Sequence, residues 1–304
     1  MAEAPERFTV ETPVLRIAAE ASGPEDGRPI ILLHGWPDGP RTWDAVLPAL
    51  HGAGYRTIVP TLRGFGETEF RDGATVSADL EALGQDVLDF MDGMGLGEAI
   101  VAGHDWGARA AYVAAHAAPK RVTACIALSV GWGTNTADQV VPLSQVQAYW
   151  YHWFFATPYG AARLREDPRG LARYVWDIWM PDFPFTDADF EATAPMFDNP
   201  VWPDVTIHSY AMRWGNAAPN PDYDGLRAAQ KADMTIRVPT LMLHGGADPV
   251  TDAATSAGKE ALFAARYERH VLPGVNHFPT REVPQETARL MLSFLGASVG
   301  AAGG

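Results

Sequence analysis

The 304-residue sequence predicts an α/β fold, a mostly parallel sheet flanked by helices, with a helical cap inserted after the strand ending near Ser129. Three observations carry that prediction. Short apolar runs alternate with amphipathic segments; one aromatic-rich stretch breaks the alternation; and the composition, 47% apolar and 20% charged, suits a chain with a large core.

Taken in order, "PIILLHG", "YRTIVPTL", "EAIVAG", "TACIALSV", "PTLMLHGG" and "YERHVLPG" read as strands buried on both faces. From Val76 to Met94, apolar residues at Val76, Leu80, Leu83, Val87, Phe90 or Met91, and Met94 keep helical spacing, with acids on the other face. That segment predicts a crossover helix. Strands joined in this way form a parallel sheet whose reactive loops lie at the carboxyl ends of the strands. After Ser129 the rhythm stops. The stretch to about Asp233 holds Trp132, Trp150, Trp153, Trp176, Trp179, Trp202 and Trp214, leaving only Trp36, Trp43 and Trp106 elsewhere. Such a segment is too long for an ordinary crossover and predicts a cap. The expected division is 1–130 and 233–295 for the sheet core, 131–232 for the cap, and 296–304 for a frayed small-residue tail.

A net charge of −14 repels phosphate backbones and anionic lipid surfaces, so nucleic acid and membrane are not expected partners. The single cysteine, Cys125, sits in a strand-like run, where a buried thiol packs and no disulfide can form. The start of the chain lacks the pattern of a signal peptide, and no apolar run approaches the roughly 20 residues that span a bilayer. A cytoplasmic protein, monomer or homodimer, is expected.

The chemistry centres on Gly103-His104-Asp105-Trp106-Gly107, which ends a strand and opens the alanine-rich helix "ARAAYVAAHAA". The form G-x-Nuc-x-G in a strand–turn–helix context is that of a nucleophile elbow, with aspartate at the nucleophile position; an aspartate that merely caps a helix is the alternative. An aspartate that attacks carbon forms an ester, so the site then needs a base for water and donors for an oxyanion. "GVNHFPTRE" offers His277 and "LMLHGGADPV" offers Asp248, each just after a strand. The order Asp105, Asp248, His277 matches nucleophile, acid and base. His51, His116 and His270 read as structural, and His244 as packing beneath the strand end. His104 reads as support beside the nucleophile. "LLHGWPDG" supplies His34 and Pro37, the latter able to hold a cis bond, and the backbone amides of Trp36 and Trp106 are the expected oxyanion donors.

Together "HGWP", "LRGFGET", "GHDWGA", "LHGGADPV" and "GVNHFPTRE" resemble the α/β-hydrolases that use an aspartate nucleophile: epoxide hydrolases, haloalkane dehalogenases and fluoroacetate dehalogenases. The resemblance spans nearly the whole chain. Thr61 departs from it, standing where aspartate is common two places before the Arg-Gly pair. In epoxide hydrolases two cap tyrosines bond the epoxide oxygen, and the resemblance points to Tyr151 and Tyr210, with Tyr149 competing with Tyr151. Haloalkane dehalogenases instead hold halide with a tryptophan after the nucleophile, here Trp106, plus a second Trp or Asn. Fluoroacetate dehalogenases would use His152 and Trp153, yet they carry an arginine directly after the nucleophile, where this chain has Trp106 and offers Arg109 one turn later. The resemblance therefore implies a cofactor-free, metal-free epoxide hydrolase acting on a small apolar epoxide and water. Its pocket would be lined by Trp106, His152, Trp153 and Trp214. A dehalogenase and a noncatalytic ligand-binding protein of the same fold are the alternatives.

Overall fold

The computed structural model describes residues 4–134 and 139–299. Its strands are β1 (Glu6–Glu11), β2 (Leu15–Ser22), β3 (Arg28–Leu33), β4 (Tyr55–Pro60), β5 (Glu69–Phe70), β6 (Ala99–His104), β7 (Val122–Leu128), β8 (Thr240–Gly245) and β9 (Tyr267–Leu272). They form one sheet in the order β1-β2-β4-β3-β6-β7-β8-β9, with β5 paired to β2. From β4 to β9 every pairing is parallel, whereas β1, β2 and β5 pair antiparallel.

The alternation of side chains along the central strands produces two cores. Ile31, Leu33, Val101, Cys125, Ala127 and Met242 face one layer, and Ile30, Leu32, Ile100, Ile126, Leu241 and Leu243 face the other. The first layer takes helices α2 (Leu80–Gly93) and α3 (Trp106–Ala117), while α1 (Leu47–Gly52) covers the second. Between β7 and β8 lie α4 (Leu143–Ala148), α5 (Trp150–Phe155), α6 (Pro158–Glu166), α7 (Pro168–Trp179), α8 (Asp187–Thr193), α9 (Trp202–Arg213) and α10 (Asp224–Ala232). These insertion helices set Tyr151, Phe155, Trp179, Trp202 and Tyr210 around Trp36, with ring centroids 5.2 to 6.0 Å from it. Cap and sheet thus share one hydrophobic cluster. After β9 come α11 (Pro279–Glu282) and α12 (Pro284–Val299), the latter packed on the second layer.

Four expectations need correction. The antiparallel β1 and β2 escape an apolar-run reading because β1 buries only Val10 and β2 alternates buried with exposed or half-exposed residues. Strand β9 is not buried on both faces: it pairs only with β8, and Tyr267 to His270 are half-buried with Val271 exposed. The helix expected from Val76 begins at Leu80, because the Ser77 carbonyl and the Asp79 carboxylate are engaged by Arg63 and by Arg227 and the Asn220 amide. Helix α12 continues through Val299, into the segment read as a tail; residues 300–304 lie outside those described. Among the described residues, no helix is long and apolar enough to cross a membrane.

A buried ion pair ties the loop after β4 to α2 and the cap. Arg63 donates to both oxygens of Asp86 at 2.6 and 2.7 Å and to the Tyr223 hydroxyl at 3.1 Å. Removing one member strands the other charge in the interior, so Asp86→Ala is expected to destabilise the fold by roughly 3–5 kcal/mol in denaturant titration.

Candidate active site

Asp105 sits between β6 and α3 with φ of 50° and ψ of −111°, a conformation that L residues seldom adopt. The flanking glycines are needed for space. A Cβ on Gly103 would lie 2.0 Å from the Gly107 carbonyl oxygen, and one on Gly107 would lie 2.4 Å from that of Leu33. The turn therefore holds strand and helix in contact and tips the carboxylate out at the end of the sheet.

The loop after β3 comes up beside it. The Trp36 amide donates to Asp105 Oδ1 at 3.0 Å. His34 anchors that loop: its Nε2 accepts from the Leu62 amide at 3.0 Å, so Nδ1 carries the proton and donates to the Gly35 carbonyl at 2.9 Å. Burial lowers the His34 pKa to about 4, which keeps the ring neutral. Pro37 follows a cis peptide bond, and its carbonyl accepts from the Trp176 indole at 2.7 Å, which joins the loop to the cap.

His277, after β9, reaches both carboxylates. Its Nδ1 is 2.8 Å from Asp248 Oδ2, and its Nε2 is 3.8 Å from Asp105 Oδ2. Asp248 is oriented by the Val250 and Thr251 amides at 2.8 and 3.0 Å on Oδ1. His244 packs beneath it, 3.6 Å from Oδ2, with Nδ1 on the Ser256 hydroxyl. Burial opposes charge on His277, but the two carboxylates outweigh it and raise its pKa to about 10. Burial likewise opposes ionisation of Asp105, yet the nearby charge of His277 and the Trp36 amide bring its pKa down to about 2. Asp248 is held well below the usual carboxylate range, burial being outweighed by His277 and His244. At neutral pH the site is therefore two carboxylates sharing one imidazolium.

Two supports fix His277 from below: His104 Nε2 donates to its carbonyl at 2.7 Å, and the Ser129 hydroxyl does so at 2.8 Å. His104 is neutral, its pKa lowered to about 4 by burial and the His277 charge. Ser129, at the turn after β7, was missed in the sequence; only its position at a strand end marks it.

The cap supplies the roof. The Tyr151 and Tyr210 rings meet edge-on at 4.9 Å, and burial and the Asp105 charge both push their hydroxyl pKa values well up, so both stay protonated. The Tyr210 oxygen accepts the Trp106 indole N–H at 3.0 Å, which frees its own hydrogen. Tyr149 stacks on His152 at 4.5 Å and meets the Tyr151 ring edge-on at 6.5 Å. His152 also stacks on Tyr210 at 4.4 Å and accepts the Trp214 indole N–H on Nδ1 at 2.9 Å. Trp153 and Trp214 form a layer behind His152, 4.8 Å apart, and the Trp153 N–H is spent on the Val146 carbonyl. Arg213, not singled out from the sequence, lies over the Tyr210 ring with Cζ 4.7 Å from its centroid.

Residues 28–280 match the family model of the α/β hydrolase fold. The chain is 29% identical to epoxide hydrolase A of Mycobacterium tuberculosis, covering 96% of this chain and 98% of that one, and 27% identical to epoxide hydrolase B of the same organism, covering 92% and 95%. A crystal structure provisionally described as an epoxide hydrolase of Klebsiella pneumoniae superposes with a TM-score of 0.88 at 33% identity, covering 95% of this chain and 97% of that chain. The chain belongs to the α/β-hydrolase fold family. Within it, this protein is a hydrolase whose relatives include epoxide hydrolases.

Proposed function

We propose that the protein is an epoxide hydrolase that converts epoxides to vicinal diols through a covalent ester on Asp105. The observation that carries this reading is the Tyr151–Tyr210 pair of protonated hydroxyls, held by the cap over a nucleophile-elbow aspartate. Opening an epoxide generates an alkoxide, which calls for O–H donors, whereas cleaving a carbon–halogen bond calls for free N–H donors around the halide. Here the Trp106 indole is spent on Tyr210 and the Trp153 indole on Val146, which favours the epoxide over the halide chemistries.

In the first step an Asp105 oxygen attacks an epoxide carbon, the C–O bond breaks, and the alkoxide takes a proton from Tyr151 or Tyr210. Asp105 becomes a neutral ester, which withdraws one of the charges that hold His277 protonated. The imidazolium can then pass its proton back to the tyrosinate left by the first step and, oriented by Asp248, the neutral imidazole takes one from water. The resulting hydroxide adds to the ester carbonyl. The oxyanion meets the Trp36 amide, which already points at this carboxylate, and the Trp106 amide at the start of α3. Collapse expels the second diol oxygen, which takes the proton of the newly formed Asp105 acid, so the diol leaves with Asp105 ionised and His277 protonated as at the start.

Styrene oxide, a bromoalkane and fluoroacetate assayed side by side test the reading. Diol from the first without halide from the others is expected, and halide release without diol would overturn it. Tyr151→Phe and Tyr210→Phe are each expected to slow the alkylation step about 10²-fold in stopped-flow measurements. The two steps should also differ in pH dependence. Alkylation needs ionised Asp105, so its rate should stay level down to about pH 3, given a pKa of about 2. Ester hydrolysis needs neutral His277, so its rate should rise with pH, with a midpoint below the resting value of about 10.

A further inference from the structure

Ester hydrolysis needs two groups at a fixed separation: the base that activates water and the amide that meets the oxyanion. They come from loops far apart in the sequence, and two adjacent residues of α11 join them. Glu282 grips the base loop on both sides of His277. Its Oε2 accepts from the Asn276 amide at 2.8 Å and from the Asn276 side chain at 2.9 Å, and its Oε1 accepts from the Phe278 amide at 2.9 Å. Arg281, the residue before it, reaches across 243 positions of sequence to the loop after β3.

Trp36 and Pro37 are the central residues of a turn that the Asp38 amide closes onto the Gly35 carbonyl at 3.1 Å. Arg281 holds both residues that follow Trp36. It gives Nε and Nη2 to the two oxygens of Asp38 at 3.1 and 2.6 Å, a planar fork on a fully buried carboxylate. Its Cζ lies 4.4 Å from the centroid of the Trp176 ring, and the indole N–H of that ring donates to the Pro37 carbonyl at 2.7 Å. A further bond, from Nη2 to the Thr193 hydroxyl at 3.1 Å, fixes the guanidinium against α8.

We infer that Arg281 is a positioning residue for the second step: through Asp38 and Trp176 it keeps the Trp36 amide where the oxyanion forms, at the distance from His277 that ester hydrolysis needs. The inference rests on the epoxide reading above, because it assigns Arg281 to one of the two steps of that reading. The steps call on the amide differently. During alkylation the charge on Asp105 falls, so the Trp36 N–H bond to Oδ1 gains nothing; during ester hydrolysis negative charge grows on the carbonyl oxygen, and the bond strengthens. A displaced amide therefore slows the second step and spares the first.

The test is Arg281→Gln in the intact enzyme with styrene oxide. Single-turnover alkylation should stay within about 3-fold of wild type, while hydrolysis of the ester on Asp105 should slow about 10-fold or more, short of the roughly 10²–10³-fold that losing an oxyanion donor outright costs. Ester should then accumulate in the steady state, read as intact-protein mass. Once hydrolysis limits turnover, kcat and KM fall together and kcat/KM stays near wild type, because a step after irreversible alkylation does not enter that ratio. Asp38→Asn should reproduce the pattern from the other end of the link. Arg281→Lys keeps a cation beside Asp38 but loses the fork, so it should fall between wild type and Arg281→Gln. Because it leaves the Asp38 charge paired, Arg281→Lys carries the test if Arg281→Gln fails to fold. Equal slowing of both steps in the folded variants, as looser packing would give, or unchanged ester hydrolysis, would overturn the assignment and leave diol formation by the wild-type enzyme standing. No diol from the wild-type enzyme would overturn the epoxide reading itself, and with it the step assigned to Arg281.

Discussion

Asp105→Asn is expected to lower kcat by about 10⁴-fold or more, the loss seen when a nucleophile that acts as part of a unit is removed. The substitution keeps the shape of the side chain, and its amide oxygen still accepts from the Trp36 N–H that bonds Asp105 at 3.0 Å. The strained turn and its glycines are untouched. What disappears is the negative charge that His277 holds ionised, and with it the nucleophile. The imidazole also loses one of the carboxylates that raise its pKa, so its titration should move down from about 10, a shift readable by NMR in the folded variant. Wild-type circular dichroism alongside near-wild-type turnover would remove Asp105 from the chemistry.

His277→Gln should have the second largest effect and a different signature. Alkylation needs Asp105 and the tyrosines, so the first step goes forward, while the ester has no base to activate water. Steady-state turnover should fall about 10³-fold or more, and the intact protein should gain the mass of one whole epoxide, located on the peptide that contains Asp105. Asp248 would lose its partner at 2.8 Å but keep the Val250 and Thr251 amides, so the loop after β8 should stay in place. An unmodified protein with normal turnover would contradict the assignment of the base.

These residues could be read from the sequence because each is announced locally. The Asp105 turn is one contiguous strand, glycine, nucleophile, glycine and helix, and its steric demands at Gly103 and Gly107 arise within that segment and the neighbouring strand. Asp248 stands after β8, whose apolar character is plain, and His277 stands in the loop after β9, at the same end of the sheet. The features that escaped depend on contacts distant in sequence. Ser129 reaches the His277 carbonyl across 148 positions, and the Trp106 indole reaches Tyr210 across 104. Nothing local distinguishes Trp153, whose N–H is consumed inside the cap, from a tryptophan free to meet a ligand. The outer strands escaped for another reason. β1 and β2 carry charged or exposed side chains because they sit toward one edge of the sheet, so the continuous apolar run that betrays a central parallel strand is missing, whereas β9, at the other edge, reads as a strand but one expected to be buried on both faces. Helix α2 starts late because Arg63, far upstream, takes the Ser77 carbonyl.

A single turnover in heavy-oxygen water, with enzyme in excess over epoxide, tests most directly whether substrate and protein become covalently joined. The covalent route predicts that the first diol carries no heavy oxygen and that the label enters the Asp105 carboxylate, because water attacks the ester carbonyl and an aspartate oxygen leaves with the product. Heavy oxygen in the diol at the first turnover, with Asp105 unlabelled, would mean that water attacks the epoxide directly, in contradiction of the mechanism.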